Sequence, residues 1–137
     1  MKELDDLTVA SKLPIQKVLV VDDDPAMLRF CRTVLRQANF ETIVAVNGLQ
    51  ALDMFREHHA QIALVVADTL MPVMDGVTLI QRLRKFDPEC KIVLMTGYDV
   101  AHADQADIKP QCPLLTKPFS ARDLVCAVRN CLEVQEP

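Results

Sequence analysis

An apolar run, Lys17-Val-Leu-Val-Val21, breaks off into three consecutive carboxylates, Asp22, Asp23 and Asp24, and then Pro25. Four apolar residues in a row suit a strand buried on both faces, the kind found in parallel sheets. Asp24 before Pro25 has the pattern of a helix opening, the acid as N-cap and the proline in the first helical position. A cap needs one acid, so Asp22 and Asp23 are left at the mouth of the strand, where their charges repel. A hard divalent cation such as Mg²⁺, which takes carboxylate oxygens and water as ligands, is the natural means of holding them together.

From this junction a rhythm runs to the end of the chain. Met27, Phe30, Cys31, Val34 and Leu35 recur at helical spacing. A short β-branched strand is expected over 41–46, then a helix capped by Asn47 and ending near His58. Further strands are expected over 62–67, 92–95 and 113–115. Helices are expected over 77–86, stopped by Asp87-Pro88, and from the cap Ser120 to about Leu132. The stretch 99–111 is short and polar and carries Pro110, which predicts a stunted or irregular fourth helix. Alternating strands and helices predict an α/β fold, a doubly wound five-stranded parallel sheet in the order 2-1-3-4-5.

Such a sheet binds ligands beyond the carboxyl ends of its strands, where the strand order switches. The residues at those ends are Asp22 and Asp23, then Asp68, then Thr96-Gly97, then Lys117-Pro118. Three carboxylates, a hydroxyl and an ammonium thus converge on one rim. The set suits phosphoryl chemistry: carboxylates hold Mg²⁺, cations neutralise phosphoryl oxygens, and a carboxylate serves as nucleophile. Asp68 is the best nucleophile, being central, with the other acids on one side and Lys117 on the other. His58 and His59 read as a solvated helix end without a role.

Composition narrows the classes further. The 137 residues suit one domain, 16–133, preceded by a leader or linker over 1–15 and followed by a tail over 134–137. The net charge of -4 and the absence of a Lys/Arg block exclude the electrostatic footprint of a nucleic-acid binder. No apolar stretch nears the ~20 residues of a membrane span, and the polar, acidic start at Met1 to Asp6 is no secretory signal. Five cysteines without Cys-x-x-Cys spacing read as small hydrophobes in a reducing cytoplasm.

The segments VLVVDDDP, ADTLMPVMDG, LMTGYD and LLTKPFS, in that order, resemble the receiver domain of two-component response regulators. The resemblance spans about Gln16 to Leu132 and implies a flavodoxin-like fold. It implies Asp68 as phosphoacceptor, and Mg²⁺ held by Asp23, Asp68 and the backbone carbonyl of Leu70, with Asp22 acting through metal-bound water. Lys117 would pair with the phosphoryl group, Thr96 would donate a hydrogen bond to it, and the amides of Leu70 and Gly97 would complete the cradle. Met71-Pro72 and Asp75-Gly76 would shape the loop after the phosphoacceptor. The Lys117-Pro118 bond is often cis in the family.

The resemblance also implies a partner histidine kinase or phosphotransfer protein, a monomer or weak dimer, and a signalling phosphoacceptor rather than an enzyme. It leaves open a stand-alone regulator or one module of a hybrid histidine kinase. Two departures bear on the output. Leu114 stands where the family usually has Tyr or Phe, and Lys109-Pro-Gln-Cys-Pro113 replaces the usual small-residue stretch before strand five. Tyr98 is a candidate substitute for the missing ring. Two other readings stand beside the first. One is a haloacid-dehalogenase-like phosphatase built on Asp22-x-Asp24, although Ala26 stands where its Thr belongs. The other is an interaction module whose phosphorylation switch has decayed.

Overall fold

The computed structural model describes residues 17–97 and 113–133. The expected leader, the irregular stretch with Tyr98 and the tail fall outside the described residues. Five strands, β1 (Lys17–Val21), β2 (Glu41–Ala45), β3 (Ile62–Asp68), β4 (Ile92–Thr96) and β5 (Leu114–Thr116), form one parallel sheet. Their order is β2-β1-β3-β4-β5, as the alternation of elements predicts. The described helices are α1 (Pro25–Gln37), α2 (Gly48–His58), α3 (Gly76–Phe86) and α4 (Ala121–Glu133).

The period of two along each strand divides the core into two layers. Val18, Val20, Leu64, Val66, Val93 and Met95 pack against Leu28, Cys31 and Leu35 of α1 and Leu124 and Val128 of α4. Leu19, Val21, Val65, Ala67, Ile92 and Leu94 pack against Leu52 and Phe55 of α2 and Leu79 and Leu83 of α3. Burial on both faces is why β1, β3 and β4 read as unbroken apolar runs. Among the described residues no helix is long and apolar enough to cross a membrane.

Side chains fix where each helix starts. Asp24 Oδ1 accepts from the Ala26 amide at 3.0 Å, with Pro25 next in line. Asn47 Oδ1 accepts from the Gln50 amide at 2.8 Å, while Gln50 Oε1 accepts from the Val46 amide at 2.7 Å. That second bond takes the Val46 N–H, and β2 ends one residue earlier than the apolar pattern suggests. Asp75 caps α3 by accepting from the Thr78 amide at 2.8 Å. Ser120 and Asp123 cap α4 reciprocally, at 3.0 and 3.1 Å. Strand β5 sits one residue later than expected, since Pro113 has no N–H to give a ladder, although its carbonyl accepts from Leu94.

Candidate functional site

Strand register assembles the site. Val21 of β1 pairs with Ala67 of β3, so the next residues, Asp22 and Asp68, emerge side by side. Asp68 pairs in turn with Met95 of β4, and Thr96 pairs with Thr116 of β5, one residue before Lys117. The backbone N–H of Lys117 then donates to the Thr96 carbonyl at 2.8 Å, which anchors the turn carrying the lysine. Parity matters as much as register. Positions 22, 68 and 117 continue the alternation that faces α1 and α4, so their side chains share one face. Thr96 continues the opposite alternation, with Ile92 and Leu94.

Carboxylate oxygens of Asp22, Asp23 and Asp68 lie within 4.8 Å of one another. Asp22 and Asp68 are buried, and Asp23 is exposed. Lys117 Nζ lies 3.3 Å from Asp22 Oδ2 and 3.3 Å from Asp68 Oδ1. The ammonium therefore bridges two acids rather than standing across from them, which refines the expected layout. The other oxygen of Asp22, Oδ1, accepts from the Asp24 amide at 2.9 Å. Thr96 is fully buried, and its hydroxyl donates to the Gly97 carbonyl at 3.2 Å. The Lys117-Pro118 bond is cis, as the resemblance implies.

Electrostatics follow from depth. Burial holds the Asp22 carboxyl above its ordinary value, with Asp68 adding to the rise, while the Asp24 amide and Lys117 oppose it. Asp68 is likewise raised by burial, against the opposing pull of Lys117 and the Leu70 amide. Crowding of the acids is expected to raise them; the larger cause is desolvation. Burial pulls Lys117 down, yet Asp22 and Asp68 more than offset it, and the ammonium is held above its usual range. Beneath the site, burial and then Asp22 push the Cys31 thiol up to about 12. Cys31 is therefore a neutral packing residue at neutral pH. Its place in the helical apolar pattern was the only signal for it in the sequence. Cys90 and Cys131 are also buried; Cys126 is exposed on α4, a departure from the small-hydrophobe reading. Cys112 lies outside the described residues.

The loop after β3 closes tightly on Asp68. Thr69 donates to the Met95 carbonyl from both its amide (2.9 Å) and its hydroxyl (3.3 Å), and its own carbonyl accepts from the Gly76 amide at 2.9 Å. A Cβ at Gly76 would stand 2.8 Å from Thr69 Cα and closer still to the Asp68 carbonyl. Glycine is required there for space, since its φ is not positive. Val73 does have a positive φ, 76°, at the centre of a three-residue turn closed by the Met74 amide on the Pro72 carbonyl, 2.8 Å. Nothing in the residue type announces that conformation. Leu114 lies half-buried against the α2–α3 side of the core.

Residues 18–129 match the response regulator receiver domain family. CpdR, a response regulator receiver protein of Brucella abortus (strain 2308), is 33% identical over 119 residues, covering 86% of this chain and 98% of CpdR. The sensor kinase CckA of the same organism is 32% identical over 146 residues, but the chain spans only 15% of that kinase. A solved response regulator receiver protein from Sinorhizobium medicae WSM419 superposes with a TM-score of 0.82 at 28% identity, covering 90% of this chain and 99% of that one. Sequence, strand order and rim chemistry agree, and the chain belongs to the response regulator receiver domain family, the phosphoacceptor modules of two-component signalling.

Proposed function

We propose that Asp68 is the phosphoacceptor, taking its phosphoryl group from the phosphohistidine of a histidine kinase or phosphotransfer protein. An Asp68 carboxylate oxygen bonds to phosphorus, the phosphorus–nitrogen bond breaks, and the electron pair leaves with the imidazole. The observation that carries this reading is the 3.3 Å approach of Lys117 Nζ to Asp68 Oδ1. It puts a positive charge beside the acceptor carboxylate, where it can neutralise the oxygens of an incoming phosphoryl group. Thr96 would turn its hydroxyl from the Gly97 carbonyl to a phosphoryl oxygen, which links the acid to the start of the loop after β4.

The three carboxylates fit a divalent cation. They offer oxygen alone, they lie within 4.8 Å of one another, and the buried two are held above their ordinary pKa, so a cation would relieve them. Asp22, Asp23, Asp68 and the Leu70 carbonyl would hold Mg²⁺, which when bound supplies charge neutralisation to the phosphoryl oxygens.

The unit that acts is residues 16–133, a reading supported by the extent of the family match. Its chemistry is limited to accepting a phosphoryl group, from a small phosphodonor as well as from a partner, and losing it slowly to water. The buried thiols of Cys31 and Cys131 suit a reducing cytoplasm. The dehalogenase-like reading loses its second acid, since Asp24 is occupied as the α1 cap. Incubation with Mg²⁺ and acetyl phosphate, followed by intact-mass measurement, tests the proposal. The expected result is one phosphoryl adduct, absent from Asp68→Asn and absent under chelation. No adduct on the wild type, or an adduct of equal yield on Asp68→Asn, counts against it.

A further inference from the structure

On the far side of the sheet from Asp22, Asp68 and Lys117, a cleft of about 590 Å³ opens between α2 and α3. Thr78, Gln81, Arg82 and Lys85 line it from one stripe of α3, Phe86 comes from the end of that helix, and Arg56 comes from α2. The stripe runs about two helical turns, on the order of 10 Å. Among the described residues, no carboxylate lies within 4.0 Å of the side-chain nitrogens of Arg56, Arg82 or Lys85. Three such cations in one concavity reverse the sign of a chain whose net charge is -4. Phe86 is 44% exposed. Its ring is braced edge-on by Phe55 at 6.0 Å and by His59 at 5.1 Å. His59 thus has a packing role that the sequence did not suggest. Phosphoryl acceptance at Asp68 uses none of these groups.

We propose that this cleft binds a multiply phosphorylated small molecule carrying a planar ring, a ligand of the nucleotide class. Guanidinium forks match phosphate oxygens two at a time, and here they come from two helices, with Lys85 as a third charge. Thr78 and Gln81 add neutral hydrogen-bonding groups between the charges. Phe86 offers a ring held in place by its neighbours, on which a base can rest. The volume lies within the range of about 300–1,000 Å³ usual for small-molecule sites. The lining holds no acid, so no divalent ion is needed or favoured.

The test is calorimetric titration of the whole chain with ATP, tripolyphosphate, adenosine and a penta-glutamate peptide, all in excess chelator. The expected order is ATP first, tripolyphosphate weaker, and adenosine and the peptide undetected, with ATP binding that falls as salt rises. Arg56→Ala and Arg82→Ala should each weaken ATP about tenfold or more. Phe86→Ala should erase the preference for ATP over tripolyphosphate. Asp68→Asn should bind ATP as the wild type does. Arg56, Arg82 and Phe86 are exposed, and circular dichroism is the check that every variant folds. The proposal is overturned if ATP does not bind at millimolar concentration or if Arg82→Ala binds it unchanged. It is overturned equally if tripolyphosphate binds as well as ATP, or if the glutamate peptide binds more tightly, which would make the cleft a docking surface for an acidic protein.

Discussion

Lys117 and Asp22 are 95 residues apart in the chain, and their charged groups meet at 3.3 Å. The same ammonium reaches Asp68 at 3.3 Å. One partly exposed cation thereby offsets two carboxylates that the fold has withdrawn from water. This arrangement sets both the stability of the metal-free protein and the chemistry proposed for it.

Removing that cation leaves two buried acids without a partner. Lys117→Met should destabilise the metal-free protein at neutral pH by about 1–3 kcal/mol. This is less than the ~3–5 kcal/mol typical of fully buried pairs, because the lysine side chain is 27% exposed. The loss should shrink as pH falls and the carboxylates protonate. Urea unfolding of both proteins across that pH range reads it directly; a loss independent of pH would contradict the account.

Neutralising one acid should do the opposite. The folded values for Asp22 and Asp68 are raised, so their contribution to stability is greatest below the ordinary carboxylate range. It is lost as pH rises through the folded values. Once ionised, the pair is therefore a burden in the absence of metal. Asp68→Asn should stabilise the metal-free fold at neutral pH by on the order of 1 kcal/mol. Mg²⁺ should stabilise the wild type through linkage and the variant less. Thermal melts with and without Mg²⁺ decide it, and a lower midpoint for the metal-free variant would be the contrary result.

Gly76 and Gly48 make a contrasting pair. A methyl at Gly76 meets backbone atoms of Asp68 and Thr69, whereas at Gly48 it meets side-chain atoms of Met74, the Cβ and Sδ each at 2.9 Å. Gly76→Ala should cost about 2 kcal/mol or more and lower the yield of phosphoryl adduct; Gly48→Ala should cost less and leave the adduct intact. Equal costs would show that the loop after β3 is less confined than its contacts indicate.

Val73 holds a left-handed backbone with a branched side chain that is 70% exposed, so the strain has no packing return. Val73→Gly should raise stability by roughly 0.5–1 kcal/mol, the relief of about 1–2 kcal/mol being partly offset by the freedom glycine brings to the unfolded chain. Denaturant midpoints measure this. A destabilised glycine variant would mean that the turn is not strained in solution.

The rim was legible in the sequence because strand ends can be read from apolar runs that stop. Once the order 2-1-3-4-5 is adopted, Asp22, Asp68, Thr96 and Lys117 fall at neighbouring ends without further assumption. What was not legible depends on facing and depth. The bridging position of Lys117 follows from side-chain parity at the end of a three-residue strand, too short to show a period. The dominance of burial over repulsion in Asp22 and Asp68 depends on α1 and α4 covering that face, with Cys31 beneath. The γ-like turn at Val73 and the cation-lined trough on α3 leave no pattern in composition. The turn defies residue preference. The trough has the same residue pattern as any solvated helix face, and only the fold sets Arg56 across from it.

Borohydride reduction of the phosphodonor-treated protein converts an aspartyl phosphate to homoserine, and peptide sequencing by mass spectrometry then reports the residue. The account predicts homoserine at position 68, dependent on Mg²⁺ and on donor. Homoserine at position 22 or 23 instead, or no conversion anywhere, would contradict it.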